Sequence, residues 1–243
     1  MDPDQLMVRR SRMFLALLTI VMLTHSLPVL AETRLFDVQM LGRTLGQITY
    51  RQTNRNNGTH SALAAHLNNT PLGVFDGVFK GVRHPSIGPD GGPANEYRVK
   101  NVSPKRTRVV SVLFQNKRVV QSSVTPPYQN AMVLDLDNAP LFATDMIDAF
   151  GTVAAQTRCP STLRIYDGRR LIRVSTKNSQ LQDKRLTCVM TYKVIKGPGH
   201  LHPFDFRSVG VSLTYETDLT GKIALKQINL KAGAFKISLI QKN

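Results

Sequence analysis

The stretch "RIYDGRRLIRV", residues 164–174, decides the fold class because it places Asp167 and Gly168 between two apolar runs. Ile165 lies in the run before this pair, and Leu171 begins the run after it. Asp-Gly between two such runs is a strong β-hairpin signal, since a two-residue type I′ turn needs positive φ at both central positions. We therefore interpret Asp167 as a turn residue and not as a catalytic acid among arginines.

The same two-residue alternation runs through most of the chain outward from this hairpin. Phe36, Val38 and Met40 alternate with polar residues near the start, as Ile237 and Leu239 do near the end. A period of two is typical of half-buried β-strands. Further turn signals separate the runs, at Asn57-Gly58, Asn116-Lys117, Thr220-Gly221 and Ala232-Gly233. The pattern predicts an all-β fold, a single curled antiparallel sheet or open β-barrel of about ten strands.

One predicted strand changes phase partway along its length. Leu225 is odd-numbered in an odd apolar series, whereas Ile228 belongs to an even one. Because a one-residue slip would turn half of these side chains to solvent, we expect a β-bulge near Lys226-Gln227.

The segment "DLDNAPLFATDMIDAFGT", residues 135–152, interrupts the strand pattern and predicts one short helix. Asp137 or Asn138 can cap it, Pro140 suits its first turn, and Gly151 can end it. A helix from Pro140 to Phe150 would pack across the curved sheet as a plug or lid.

The first residues are typical of an export signal. Arg9, Arg10 and Arg12 precede an apolar core at residues 13–23, and Ala31 ends a small-residue cleavage pattern. The alternative is a membrane anchor, but the core is shorter than the ~20 residues that a spanning helix needs. We predict a signal peptide over residues 1–31 and one β-rich periplasmic domain over residues 32–243. The Pro/Gly-rich stretch "RHPSIGPDGGPAN", residues 83–95, is predicted to be a loop inside that domain.

The formal net charge of +16 is concentrated on two segments. Residues 98–118 carry seven bases and no acid, and residues 158–196 carry ten bases and two acids. In contrast, residues 135–148 hold four acids and no base, of which we expect Asp145 and Asp148 to face solvent. The predicted basic face consists of Arg108, Lys117, Arg118, Arg164, Arg169, Arg170 and Arg173.

Such segregated charge favours an anionic partner: an anionic lipid or membrane surface, lipopolysaccharide or an acidic envelope polymer. The alternative is a set of charges that only solvate strand faces. Nucleic acid is the least favoured partner, because an exported protein rarely meets it.

The two cysteines, Cys159 and Cys188, predict a disulfide in an exported chain. Closing this loop is worth roughly 3–4 kcal/mol in the chain-entropy model. The alternatives are a redox pair or a metal site, but no Cys-x-x-Cys spacing is present. His200 and His202 alone are too few to ligate a metal, so we expect neither metal nor cofactor.

Several motifs in order resemble a domain-of-unknown-function family of exported Gram-negative bacterial proteins, which has a Phe/Tyr-Asp-Gly-Arg hairpin between two cysteines. The stretches that carry the resemblance are "FDVQMLGRTLGQITYR", "GVFDGVFKG", "RVVSVLFQNKRVVQSSVTPP", "CPSTLRIYDGRR" and "CVMTY", with Pro93 and Tyr97. The resemblance implies a periplasmic, β-rich protein with no assigned catalytic activity. The chain is more loosely similar to open-barrel lipoprotein carriers, which is a fold-level analogy.

No catalytic motif stands out: the sequence contains no nucleophile elbow, zinc-protease helix or phosphate-binding loop. We therefore expect a non-enzymatic binding or carrier protein for an apolar or anionic envelope ligand, such as a lipid, lipoprotein or acidic polymer. One alternative is an envelope-polymer hydrolase with a site built from Asp167, His200 and His202. Another is an assembly factor that holds an envelope protein partner along exposed strand edges.

Overall fold

A computed structural model describes residues 31–68, 70, 76–104, 106–127, 142–200, 206–217 and 221–242. The strands β1 to β14 span, in order, Ala31–Met40, Arg43–Arg55, Gly58–Leu67, Gly77–Ile87, Pro93–Ser103, Arg106–Gln115, Arg118–Thr125, Ala143–Thr144, Thr162–Tyr166, Leu171–Gln182, Arg185–Lys196, Ser208–Thr217, Ile223–Ala232 and Phe235–Gln241. Within these described ranges there is one helix, α1, which spans Met146–Ala155 between β8 and β9. The signal-peptide prediction lies almost wholly outside the described residues.

All fourteen strands belong to one sheet, in the order β7-β6-β5-β4-β3-β2-β1-β14-β13-β12-β11-β10-β9-β8. The predicted all-β class is confirmed, but the expected strand count of about ten is wrong. Every pair is antiparallel except β8 with β9, which is parallel. The sheet curls until its two ends meet. Ala143 N donates to Lys117 O at 3.1 Å, and the hydroxyls of Ser122 and Tyr166 lie 3.2 Å apart. The result is a nearly closed barrel.

The stretch predicted to be a loop belongs mostly to two strands. Residues 83–87 belong to β4 and residues 93–95 to β5, so only residues 88–92 connect the two strands. Pro85 lacks the amide that a central strand needs. However, the pairing of β3 with β4 ends at Arg83, and Pro85 pairs only with Asn95 of β5. The proline therefore sits where β4 has become an edge.

The hairpin at Asp167 is present, but its turn differs from the predicted one. Tyr166 pairs with Leu171, so the connection has four residues and not two. Gly168 has a φ of 84°, and Asp167 is not among the residues with positive φ. The Asp167 carboxylate instead accepts hydrogen bonds from the loop's own backbone, as an Asx turn does. By comparison, Asn116-Lys117 forms the expected two-residue turn with φ of 50° and 60°.

Two sequence predictions about the β9–β14 half are confirmed. Thr214 pairs with Gln227 and Tyr215 with Leu225, so Lys226 is the extra residue of a bulge in β13. The phase change thus keeps the apolar side chains of both halves of the strand on the inner face. Cys159 and Cys188 are joined in a disulfide with their Cα atoms 5.6 Å apart. It ties the segment after α1 to β11.

Helix α1 begins later than the sequence predicted. Its N-cap is Asp145, whose carboxylate accepts from the amides of Ile147 and Asp148, each at 2.9 Å. Asp145 is also buried, which contradicts the expectation that it faces solvent, and it pairs with Arg83 at 3.0 Å. The other proposed caps and Pro140 lie outside the described residues. Gly151 lies within the helix and does not end it.

The helix lies inside the curl of the sheet, as expected of a plug, and glycines allow the contact. A Cβ on Gly151 would lie 2.1 Å from the Tyr50 hydroxyl, and one on Gly81 would lie 2.9 Å from Ile147 Cδ1. The backbone at each glycine can therefore approach the facing side chain more closely than any larger residue would permit. Among the described residues, no helix is long and apolar enough to cross a membrane.

The interior divides into two apolar clusters, one on each side of α1. The cluster against β2–β7 contains bulky buried side chains that include Tyr50, Tyr97 and Phe114. The cluster against β1 and β9–β14 relies more on aliphatic residues such as Val211 and Leu213. The second cluster also contains Phe36 and Tyr215, and it borders a cavity.

Candidate functional site

The candidate site is a cavity of about 500 Å³ between α1 and the inner face of β9–β14. Alternation places every second residue of these strands on one face, and the register aligns them into rows. The rows are Val174–Tyr192–Val209, Val211–Leu230–Ile237 and Leu213–Ile228–Leu239. The helix contributes Met146, Ala149, Phe150 and Val153 to the opposite wall. Of the nineteen lining residues, all but Tyr192 and His200 have wholly apolar side chains.

A short polar chain marks one end of this cavity. Tyr192 stands in the first row, and its hydroxyl lies 2.6 Å from Nε2 of His200. On the other side of the ring, Nδ1 of His200 contacts the Arg170 guanidinium. Arg170 in turn binds Oδ2 of Asp167 through Nε and a terminal nitrogen, both at 2.8 Å. The order of the chain is therefore Asp167, Arg170, His200, Tyr192.

The direction of each hydrogen bond in this chain follows from the donors available. A guanidinium can only donate, so Nδ1 of His200 must accept from Arg170. Burial first, and then the charge of Arg170, lower the pKa of His200 to about 4, so its ring is neutral at pH 7. A neutral ring carries one N–H, which must be on Nε2 and must donate to the Tyr192 oxygen. The Tyr192 hydroxyl therefore keeps its own hydrogen for another acceptor.

That hydrogen finds no acceptor among the described residues. The Tyr192 hydroxyl oxygen accepts from Nε2 of His200, so His200 cannot accept the hydroxyl hydrogen. The other described residues of the wall are apolar. Burial raises the pKa of Tyr192, so the phenol stays protonated. The cavity thus combines a long apolar surface with one O–H donor.

Asp167 is fully engaged by its own loop. Its Oδ1 accepts from the amides of Arg169 and Arg170 at 2.9 and 2.7 Å, and its Oδ2 holds the Arg170 guanidinium. Arg170 therefore separates the carboxylate from His200. A hydrolytic dyad needs the carboxylate on the imidazole, so that it can stabilise the ring when it takes up a proton. Here a cation occupies that position and opposes protonation.

The other residues of the hydrolase hypothesis add no further geometry. His202 lies outside the described residues. Within the described ranges, no group of three or more His, Cys, Asp or Glu side chains is placed to hold a metal ion.

The predicted basic residues divide between inner and outer positions. Arg164 and Arg173 are exposed and directly opposite one another on β9 and β10. Arg173 also pairs with Lys193 of β11, so three cations form a row across adjacent strands. Like charges directly opposite one another repel, and the next residue across the sheet is Ser208 of β12. We call Arg164, Arg173 and Lys193 the basic row.

The remaining members of the predicted face do not join the basic row. Arg169 and Arg170 lie in the loop after β9, and Arg170 is committed to Asp167. Arg108 is half-buried and donates to the Pro126 carbonyl at 3.0 Å. Lys117 and Arg118 are exposed at the turn between β6 and β7.

Sequence reasoning missed Tyr192 and Lys193 as site residues. Tyr192 has the same parity as Cys188 and Met190, which marks it as inward-facing. Nothing local shows that His200 lies against it, because that contact depends on the loop after β11 folding back. Lys193 has the opposite parity, which indicates an outward-facing side chain. Only the register of the strands shows that it lies beside Arg173.

Comparison with known proteins leaves the chain without a family. No protein-family model matches it, and neither does any curated protein. A crystal structure of a β-barrel-like protein of a domain of unknown function, from Brucella abortus, is similar over 88% of this chain and 96% of its own. The identity is 11% and the TM-score 0.43. The family resemblance noted in the sequence therefore stays a prediction.

Proposed function

We propose that this protein is a non-enzymatic carrier that holds an apolar ligand in the cavity between α1 and β9–β14. The observation that carries the proposal is the size and lining of that space. Its volume of about 500 Å³ lies within the roughly 300–1,000 Å³ of small-molecule sites. Among the described residues, its wall is apolar apart from the Tyr192–His200 pair, which suits a ligand with a long hydrocarbon portion.

We place this carrier in the periplasm. The disulfide between Cys159 and Cys188 supports an oxidising compartment, where such bonds persist. The sequence pattern of an export signal points to the same address.

The basic row gives the carrier an anionic partner on its outer face. Arg164, Arg173 and Lys193 would lower their mutual repulsion by contact with the phosphates of a membrane surface. The row lies on β9–β11, the strands that also contribute to the cavity. Lipopolysaccharide and acidic polymers offer the same anionic chemistry.

A hydrolase is the weaker candidate for this site. The Asp167–Arg170–His200 order withholds the carboxylate from the imidazole, and a histidine with a pKa of about 4 is a poor base near neutral pH.

The proposal is tested by filling the cavity. Val211 projects from the middle row of the wall, so Val211→Phe should take up free space and abolish binding of a fluorescent apolar probe such as N-phenyl-1-naphthylamine. Ser212, its neighbour on the outer face, provides the matched control: Ser212→Phe should bind the probe as the unmodified protein does. Equal binding by both variants, each folded by circular dichroism, would contradict a ligand in this cavity.

A further inference from the structure

We propose that the cavity selects a neutral amphiphile, with an aliphatic chain against the wall and an uncharged acceptor oxygen on the Tyr192 hydroxyl. This inference rests on the proposed function and deepens it by naming the chemistry of the ligand's polar group. Esters, amides and alcohols of long hydrocarbons fit the description. Free fatty acids in their ionised form do not.

The polarity of the ligand follows from the hydrogen-bond directions. Arg170 donates to His200, His200 donates to Tyr192, and the Tyr192 hydrogen is the remaining donor of the chain. A ligand group that meets it must supply a lone pair. An ammonium or another donor-only group would leave that hydrogen unsatisfied in an apolar space.

The charge of the ligand follows from the pairing of Arg170. Its guanidinium is paired with the Asp167 carboxylate, and neither residue is among those that line the cavity. His200 and Tyr192 are both neutral. Arg169 lies in the same loop and its charge also lowers the pKa of His200, but it is not among the residues that line the cavity. A carboxylate placed on Tyr192 would thus lose its hydration without gaining a cation at contact distance, which is costly.

The arrangement also gives the hydroxyl a fixed orientation. Tyr192 is set by the strand register between Val174 and Val209, while His200 is held by the backbone pairing of its amide and carbonyl with Phe206. Because the guanidinium polarises the ring that donates to the phenol, the chain strengthens the O–H as a donor. The donor is prepared before the ligand arrives, which lowers the entropic cost of binding.

The test compares four probes that share a dodecyl-length chain: dodecane, dodecanol, methyl laurate and laurate. Each displaces the fluorescent probe from the full protein at about pH 8, where laurate is ionised. We expect methyl laurate and dodecanol to bind about fivefold more tightly than dodecane, the value of one neutral hydrogen bond. Laurate should bind at least about tenfold more weakly than its methyl ester.

The matched variants isolate the hydroxyl. Tyr192→Phe should weaken the binding of methyl laurate by about fivefold and leave the binding of dodecane unchanged. Tyr166→Phe removes another buried hydroxyl, one bound to Ser122 and not part of the cavity wall, and should change neither. The ranking of probes on the unmodified protein needs no variant, so a Tyr192→Phe protein that failed to fold would not rescue the proposal.

The outcomes separate the two proposals. If none of the probes binds, the carrier function itself fails. If dodecane binds as tightly as the ester, or Tyr192→Phe changes nothing, the cavity still carries apolar ligands but the selection by Tyr192 is wrong. If laurate binds most tightly, a cation reaches the cavity and the neutral-ligand inference is overturned.

Discussion

Replacement of Gly151 by alanine should destabilise the protein, although alanine is the better helix former. In a typical helix, the exchange gains about 1 kcal/mol. Here the new Cβ would lie 2.1 Å from the Tyr50 hydroxyl, whereas ordinary contact begins at 3.4 Å, so about 1.3 Å of movement is required. Tyr50 is 2% exposed and packs against Phe150 with ring centroids 5.5 Å apart, which leaves the ring little freedom to move.

The magnitude follows from two costs set against that gain. Displacing the Tyr50 hydroxyl breaks its 2.7 Å hydrogen bond to Gln52, worth about 1 kcal/mol. Overpacking a filled core costs about 1–3 kcal/mol more. The net loss is about 2 kcal/mol, or a fall in Tm of about 4–8 °C for a domain of this size.

Thermal and urea unfolding of Gly151→Ala, Tyr50→Phe and the double variant measure this directly. Tyr50→Phe removes the clashing oxygen and leaves the ring carbon Cζ 2.9 Å from the place that the new Cβ would take. The double variant should therefore recover about 1–2 kcal/mol relative to the sum of the single changes. A higher Tm for Gly151→Ala would refute the reasoning, because it would mean that α1 is not held against Tyr50.

Two further predictions concern charge. Burial raises the pKa of Asp145 to about 6 from 3.8, so its contribution to stability is complete below about pH 4 and is lost as pH rises through 6, a change of about 3 kcal/mol. Asp145→Asn keeps a side chain that can cap the helix. The difference between its unfolding free energy and that of the unmodified protein should therefore change by this amount between about pH 4 and 7. The lowered pKa of His200 has the opposite effect on stability, but it is present in both proteins and cancels in the difference. A flat difference from pH 4 to 7 would contradict the buried, raised carboxyl. On the outer face, Arg173→Glu should weaken binding to vesicles with anionic lipid by about tenfold or more, whereas Lys100→Glu on β5 should have a smaller effect in co-sedimentation. Equal losses would mean that net charge, and not the basic row, attracts the surface.

The sequence predicted those features that depend on neighbouring residues. Alternation identified the strands around Phe36 and Leu239, and a change of phase located the bulge at Lys226 to within one residue. The cysteines had only each other to pair with. In each case the deciding information lies within one strand or one pair of residues.

Features that depend on distant partners were predicted poorly. Aspartate is an equally good N-cap at positions 137 and 145, and Arg83, sixty-two residues away in the chain, lies against the second of them. The turn at Asp167 has four residues and not the predicted two. Its carboxylate binds Arg170, which also contacts the distant His200. The candidate site depends on this second kind of contact, so sequence patterns found its arginines and missed the tyrosine.

We interpret the cavity as a binding site and not as a packing defect, because an unfilled apolar volume of this size would lower the stability of the fold. At about 24 cal/mol per Å³, a fully sealed and unfilled volume of 500 Å³ would cost on the order of 12 kcal/mol, and because this cavity opens to solvent that figure is an upper bound. Water relieves such a cost only where it finds two to four polar partners, and this wall offers Tyr192 and His200 at one end. A hydrocarbon chain would recover dispersion contacts along the two apolar rows, while its oxygen would accept from the Tyr192 hydroxyl. The opposite side of α1 is filled by Tyr50, Tyr97 and Phe114, so the same fold can pack solidly. The wall, mostly Val, Leu and Ile together with Phe206 and Phe235, therefore suits the apolar ligand that we propose.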